Sequence, residues 1–316
     1  MPREANAHHA GVEDRGQHGL AAPAYAKINL SLEILGKRPD GFHELVSVSQ
    51  TISLADHLTV WPSDSLHLTT QPPIVEDHDN LVRRATEALA LATGRAASGH
   101  LLLKKRIPLA AGLGGGSSDA ATTLRLLDRL WGTRLGEARL ADISATLGSD
   151  VALFLDGGTS LMRGRGEQVE SLPGVQPFWL VLVCPGGAPP DKTRVLYRAL
   201  STDEWTDGAA TLRLAEQLRA GSDTGGLPMV NAFDGPADRV YPGFPALRRR
   251  LTDLLGAPAH LTGAGPSLFV QFASADAARS AAKIVARAGI TAHVARSVAR
   301  RPAIRASHAR FGRSSQ

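Results

Sequence analysis

The segment 108–121, PLAAGLGGGSSDAA, restricts what this chain can fold into more than any other stretch. Four of the five positions from 112 to 116 are glycine, and Ser117 and Ser118 follow at once. Beyond them Ala121, Leu124, Leu127 and Leu130 recur at helical spacing. Glycine reaches backbone conformations closed to other residues and leaves no side chain over a loop. A glycine loop that opens a helix aims several unbonded N–H groups and the positive end of the helix dipole at one point, which suits a phosphate. A plain turn closed by a serine cap would not need four glycines. Gly112, Gly114, Gly115, Gly116, Ser117 and Ser118 are therefore candidate phosphate-binding residues, with Pro108 and Leu113 framing the loop. The Gly-Lys-Ser/Thr of a Walker A loop is missing, and the glycine spacing is not the G-x-G-x-x-G of a dinucleotide fold.

The surroundings of this loop mix strands and helices without strict alternation, which predicts an α+β protein of two domains. Residues 25–35 alternate apolar and polar as in a half-buried strand, and Gly36–Gly41 has turn chemistry. Further strands are expected at 44–54, 58–61, 100–105, 178–184 and 260–272, the last broken by a glycine turn. Helices are expected at 79–93, capped by Asp79 or Asn80, at 117–130, at 247–255, and at 274–288 with Ser274 as cap and Gly289 as stop. Residues 200–228 are polar enough to suggest one exposed helix. The division expected is a leader over 1–20, an N-terminal domain over 21–165, a C-terminal domain over 166–295 and a basic tail over 296–316.

Composition removes several classes of function. With 43% hydrophobic and 21% charged residues in 316, the chain can bury a real core. The one cysteine, Cys184, cannot form an internal disulfide and reads as a core residue. No apolar run is long enough to span a membrane, and the leader lacks a signal-peptide core, so the cytoplasm is the expected compartment. The net charge of +5 would suit a nucleic-acid partner, but the last 21 residues alone carry six arginines and no acid. The body is near neutral, and the excess reads as a solvated tail, with a polyanion-binding arm as the alternative.

The loop resembles the central motif of the GHMP kinases, the small-molecule kinases typified by galactokinase, homoserine kinase and mevalonate kinase. Two more segments stand in that family's order: PAYAKINL at 23–30 resembles its N-terminal motif and LTGAGPS at 261–267 its C-terminal glycine motif. One departure is Ala264, where a serine or threonine is commoner. The resemblance implies an N-terminal domain like ribosomal protein S5 domain 2, a ferredoxin-like C-terminal domain, and ATP and acceptor in the cleft between them. Arg38-Pro39-Asp40-Gly41-Phe42-His43, with Leu147-Gly148-Ser149-Asp150-Val151, resembles the branch whose acceptor is a cytidine diphosphate carrying a methylerythritol. The reaction implied is transfer of the ATP γ-phosphate to the 2-hydroxyl of that polyol. Homoserine or mevalonate kinase chemistry is the alternative within the family.

From the resemblance follow the residue roles. Asp150, otherwise a plausible helix cap, would take the proton of the acceptor hydroxyl. Lys27, otherwise a solvated strand lysine, would sit beside it and neutralise transition-state charge. The cytosine would stack on Phe42, hydrogen-bond His43 and meet Tyr197 on its other face. Thr193 and Asn29 would contact substrate, Lys105 would reach a phosphate, and Asn80 would lie near the adenosine. Mg²⁺ is implied by the chemistry, with ligands left open beyond Ser118 as a first candidate. The partners expected are the substrate and ATP, without membrane or specific nucleic acid, for a monomer or homodimer.

Overall fold

The computed structural model describes residues 18–73, 80–189, 191–222 and 229–307. The alternation around residue 28 belongs to a longer strand, β1 (Gly19–Lys37), which turns back into the equally long β2 (His43–Trp61). Asp40 closes that turn by accepting the Phe42 N–H at 3.1 Å and pairing with Arg38. The two strands expected at 44–54 and 58–61 are one, because pairing with β1 continues through register shifts instead of breaking. Then follow β3 (Leu66–Gln71), α1 (Leu81–Thr93), β4 (Gly99–Lys104), α2 (Gly115–Trp131), α3 (Glu137–Leu147), the single turn α4 (Leu153–Asp156), β5 (Thr159–Gly164) and β6 (Gln168–Ser171). Asn80 caps α1 by accepting the Val82 N–H at 2.9 Å, while Asp79 lies outside the described residues.

A second sheet begins with β7 (Trp179–Val183) and continues through α5 (Lys192–Ala199), α6 (Ala209–Arg219), α7 (Asp234–Val240), α8 (Phe244–Leu255), β8 (His260–Leu261), β9 (Leu268–Phe272), α9 (Ala275–Arg287) and β10 (Ala292–Arg296). Its antiparallel order is β10–β7–β9–β8, which in chain order is 4-1-3-2 with helices in both crossovers, the ferredoxin-like arrangement. The chain then returns to the first sheet as β11 (Arg305–Ser307), which pairs with Gly19–Ala21. The first sheet runs β11–β1–β2–β4–β3, with β5 joined to β2 and β6 to β5.

These pairings correct three expectations. Residues 168–171 pair with β5, so this stretch goes with the first sheet and not with the unit expected from 166 onward. Gly19 and Leu20 belong to β1, and residues 1–17 of the expected leader lie outside the described residues. The tail expected to be solvated from 296 is folded as far as Ser307. Val298 N donates to Thr51 O at 3.0 Å, and Arg301 donates to Leu155 O at 3.0 Å while pairing with Glu137. Backbone bonds anchor this return, and they leave no hydrophobic pattern in the sequence. Residues 308–316 lie outside the described residues.

The half-buried reading of β1 is also corrected. Ile28 and Leu30 enter a core shared with Leu180, Leu182 and Phe269 of the second sheet. The alternate residues Lys27, Asn29, Ser31 and Glu33 are nonetheless buried as well. The second unit covers them: Thr211 N donates to Glu33 at 2.6 Å from the start of α6, and Asn29 N donates to Thr262 Oγ1 at 3.0 Å. For the same reason α6 is not the exposed helix expected, since Leu214, Ala215 and Leu218 are buried.

Candidate active site

The polar row on β1 faces both glycine segments. Lys27 N donates to Leu113 O at 3.0 Å, which holds the loop along the strand. A Cβ on Gly112 would lie 2.7 Å from Thr262 O, and one on Gly263 would lie 2.9 Å from Gly112 O and 3.4 Å from Lys27 Nζ. The two glycine segments therefore touch backbone to backbone, at positions where no side chain fits. Gly114, with φ of 69°, caps α2 without a side-chain hydrogen bond. The first-turn N–H groups of a 17-residue helix are thus left to a ligand. Ser118 is 1% exposed, whereas Ser117 is partly exposed.

Lys27 is 5% exposed and is aimed by a chain of bonds. Its Nζ donates to Asn29 Oδ1 at 2.6 Å, and the Asn29 amide donates to Ser47 Oγ at 2.7 Å and Ser49 Oγ at 3.0 Å. Asp150 Oδ2 stands 3.8 Å from the ammonium, with its side chain 38% exposed. Asp150 sits in the turn before α4 and caps no helix, since the α4 cap position is Ala152. Burial lowers the Lys27 pKa below its ordinary value, and the Asp150 charge opposes that shift. The result is an ammonium poor in water beside a carboxylate open to solvent, an arrangement able to take up phosphate charge and a hydroxyl proton.

The aromatic residues gather where the β1–β2 turn meets α5. Phe42 is 53% exposed, which is unusual for a phenylalanine, and the Arg165 guanidinium lies 4.6 Å from its ring centroid. His43 stacks on Tyr197 with centroids 4.7 Å apart, and Tyr197 meets Phe233 edge-on at 4.9 Å. Tyr197 therefore packs on His43 in this chain. Burial and, secondarily, the Asp150 charge push its hydroxyl up to about 12, which ties the aromatic group to the carboxylate. Burial, with Lys37 close by, lowers the His43 pKa and keeps its imidazole neutral at pH 7. Thr193 is exposed in the first turn of α5.

Lys105 reaches the start of α2: its Nζ lies 3.4 Å from where a Cβ on Gly115 would stand. Its ammonium is bound between Asp56 and Asp119, the latter at 2.7 Å, with 8% of the side chain exposed. Burial alone would lower its pKa, but the two carboxylates outweigh that and hold it above its ordinary value. Asp56 also accepts the Ile107 N–H at 2.8 Å, so the cluster fastens β2 and α2 to the segment before the glycine loop. The two acids lie 49 and 14 residues away in sequence and hold the ammonium at the foot of the glycine loop, where the expected phosphate contact would be made. Sequence reasoning also missed Lys192, whose Nζ donates to Gly265 O. Burial, with the Lys27 charge nearby, lowers its pKa to about 8. A lysine after a Pro-Pro-Asp sequence carries no signal of its own.

Two sheets that share an apolar core, with a glycine loop opening a helix beside the polar row of β1, define a class before any particular member. The family model for the GHMP kinases N terminal domain matches residues 80–158. A 4-diphosphocytidyl-2-C-methyl-D-erythritol kinase of Dehalococcoides mccartyi is 41% identical over 251 residues, 79% of this chain and 87% of that protein. The enzyme of the same name from Pelotomaculum thermopropionicum is 39% identical over 272 residues, covering 83% and 92%. A crystal structure of a 4-(cytidine 5'-diphospho)-2C-methyl-D-erythritol kinase superposes with a TM-score of 0.73 at 34% identity, over 88% of this chain and 98% of that one. A homoserine kinase from Cytophaga hutchinsonii, at 18% identity, 95% and 100% coverage and a TM-score of 0.68, shares the fold. The chain belongs to the GHMP kinases and, within them, to the family of 4-diphosphocytidyl-2-C-methyl-D-erythritol kinases. No described helix is long and apolar enough to cross a membrane.

Proposed function

We propose that this chain transfers the γ-phosphate of ATP to the 2-hydroxyl of 4-diphosphocytidyl-2-C-methyl-D-erythritol, and that it does so in the cytoplasm. The observation that carries the reading is the aromatic group of Phe42, His43 and Tyr197 beside Lys27 and Asp150. Homoserine and mevalonate carry no base, so neither gives an exposed phenylalanine and a neutral histidine anything to recognise. Cytosine offers a π-face for Phe42 and edge atoms that a neutral imidazole can pair with.

In the reaction Asp150 accepts the proton of the acceptor hydroxyl as its oxygen bonds the γ-phosphorus and the bond to ADP breaks. Lys27, directed by Asn29, offsets charge on the transferred oxygens. The uncapped first turn of α2 binds ATP phosphate through backbone N–H groups of Gly115, Gly116 and Ser117. Asn80 acts as a helix cap beside the loop. Thr193, in the first turn of α5, is a candidate substrate contact.

Mg²⁺ takes hard oxygen donors and keeps several waters. Ser118, the first candidate for the ion, is 1% exposed, whereas the Ser117 hydroxyl one residue earlier is partly exposed and is the oxygen of this pair that would hold it beside the ATP phosphates. When bound, the ion would neutralise charge on the ATP phosphates. The test is ATP consumption with the cytidine diphosphate substrate, homoserine and mevalonate offered separately. Turnover confined to the first is expected; turnover of either other acceptor alone would overturn the reading.

A further inference from the structure

We propose that Lys192, the first residue of α5, is a second ammonium for the phosphoryl group that passes from ATP to the acceptor. The inference rests on the functional reading above, in which Lys27 is the first. The glycine segments set its place. Lys192 Nζ donates to Gly265 O, and that carbonyl is held against the glycine loop, because a Cβ on Gly112 would lie 3.0 Å from it. The turn that carries it is pinned: Gly265 N donates to Thr262 O at 3.0 Å, and Tyr241 Oη donates to Ala264 O at 2.6 Å. Two residues earlier in the same turn, a Cβ on Gly263 would lie 3.4 Å from Lys27 Nζ. One turn therefore lies against both lysines, one carried by β1 and the other by α5, beside the loop that opens α2.

No acid neutralises the second charge. Lys27 has Asp150 at 3.8 Å, whereas among the described residues Lys192 is bonded only to a carbonyl. Asp191, its neighbour in the chain, is bonded to Arg194. Lys192 is half-buried and feels the Lys27 charge, and burial and that like charge together lower its pKa to about 8. Most of it is thus still an ammonium at pH 7.

Two ammoniums brought together away from water repel, and an anion that reaches both relieves the cost. An ammonium has three donors, of which Gly265 O takes one, and the others are left for phosphate oxygens. The γ-phosphate is the group that must approach Lys27 and Asp150, so it is the anion that comes within reach of both lysines. ADP lacks it. During transfer the acceptor oxygen bonds the γ-phosphorus, the bond to the ADP oxygen breaks and the hydroxyl proton goes to Asp150. Lys192 keeps its own protons throughout and offsets charge on the moving group.

Lys192→Gln, which removes the charge but keeps an N–H donor, and Lys192→Arg, which keeps the charge, test the assignment in the full chain. Calorimetry would measure binding of ADP, of the non-hydrolysable imido analogue of ATP and of CDP, and single-turnover kinetics the rate of transfer at saturating ligands. Loss of a charge-assisted contact predicts analogue binding about 10- to 100-fold weaker in Lys192→Gln, with transfer slowed by a similar factor. ADP and CDP binding should stay near wild type, which also shows the variant to be folded, and Lys192→Arg should recover part of the loss. Equal weakening for ADP and the analogue, or a matching loss for CDP, would overturn the proposal and make Lys192 a tether between α5 and the glycine turn. Unchanged analogue binding would overturn it outright. Absence of wild-type turnover with the cytidine diphosphate substrate would instead refute the functional reading, and the comparison of the analogue with ADP would still decide the role of Lys192.

Discussion

Gly114→Ala separates the geometry of the glycine loop from its mere flexibility. Gly114 has φ of 69°, and a Cβ there would stand 2.7 Å from Phe154 Cζ, 3.0 Å from Phe154 Cε2 and 3.2 Å from Lys27 Cγ. Left-handed backbone costs a residue with a Cβ about 1–2 kcal/mol. Forcing one methyl into a packed site adds about 1–3 kcal/mol, since Phe154 is buried and has little room to yield. The expected loss of stability is therefore about 2–5 kcal/mol. Gly132 at the other end of α2 is the internal control: its φ is 66°, yet nothing lies within 4 Å of its added Cβ. Gly132→Ala should carry the backbone cost alone, about 1–2 kcal/mol. Urea unfolding of both variants reads the difference. Gly114→Ala should also lower kcat, because the methyl presses on Lys27, and displacement of a catalytic group by about 1 Å can cost about 10²-fold. Equal stability losses in the two variants, together with a wild-type kcat for Gly114→Ala, would refute the packing argument.

Asp150→Asn keeps shape but cannot take a proton, so single-turnover transfer should fall by about 10² to 10⁴-fold with ATP and substrate affinities little changed. If Lys27 and Asp150 act as a pair, Lys27→Met combined with Asp150→Asn should lose far less than the product of the single losses. Near-wild-type transfer by Asp150→Asn would remove it as the base. Burial raises the Asp119 carboxyl from 3.8 to about 8 against the pull of Lys105. The native state therefore binds more protons than the unfolded chain between those values, and stability should fall as pH rises from about 4 to about 8. Asp119→Asn should flatten that slope in urea midpoints taken at pH 5 and above pH 8; a profile parallel to wild type would show that Asp119 is ionised in the fold. Ending the chain after Ala295 should destabilise the first sheet, not merely remove charge, because Gln50 loses its 2.8 Å bond to Val298 O and Gly19–Ala21 lose β11. An unfolding midpoint unchanged in that variant would show the return strand to be dispensable.

Glycine spacing, apolar periodicity and caps are local properties, and they were enough to place the glycine loop before α2, to narrow the α1 cap to Asp79 or Asn80, to place the Ser274 cap and to find the alternation of β1. Lys27, Asn29 and Asp150 were singled out instead by the resemblance of their segments to one enzyme family, and the structure brings Lys27 beside the other two. Long-range electrostatics was not legible. Nothing local marks Asp56 and Asp119 as the partners of Lys105, because only folding brings them to it. The polar row of β1 reads as solvent-facing until the second sheet and α6 cover it, because burial of a strand face is decided by what packs on it. Arg165 gave no signal at all in a short Arg-Gly-Arg-Gly stretch; β5 and β6 carry it to Phe42, more than a hundred residues earlier in the chain. The return of 296–307 to the first sheet likewise rests on backbone hydrogen bonds, which any sequence without proline at those positions can make, so composition alone marked it as a charged tail.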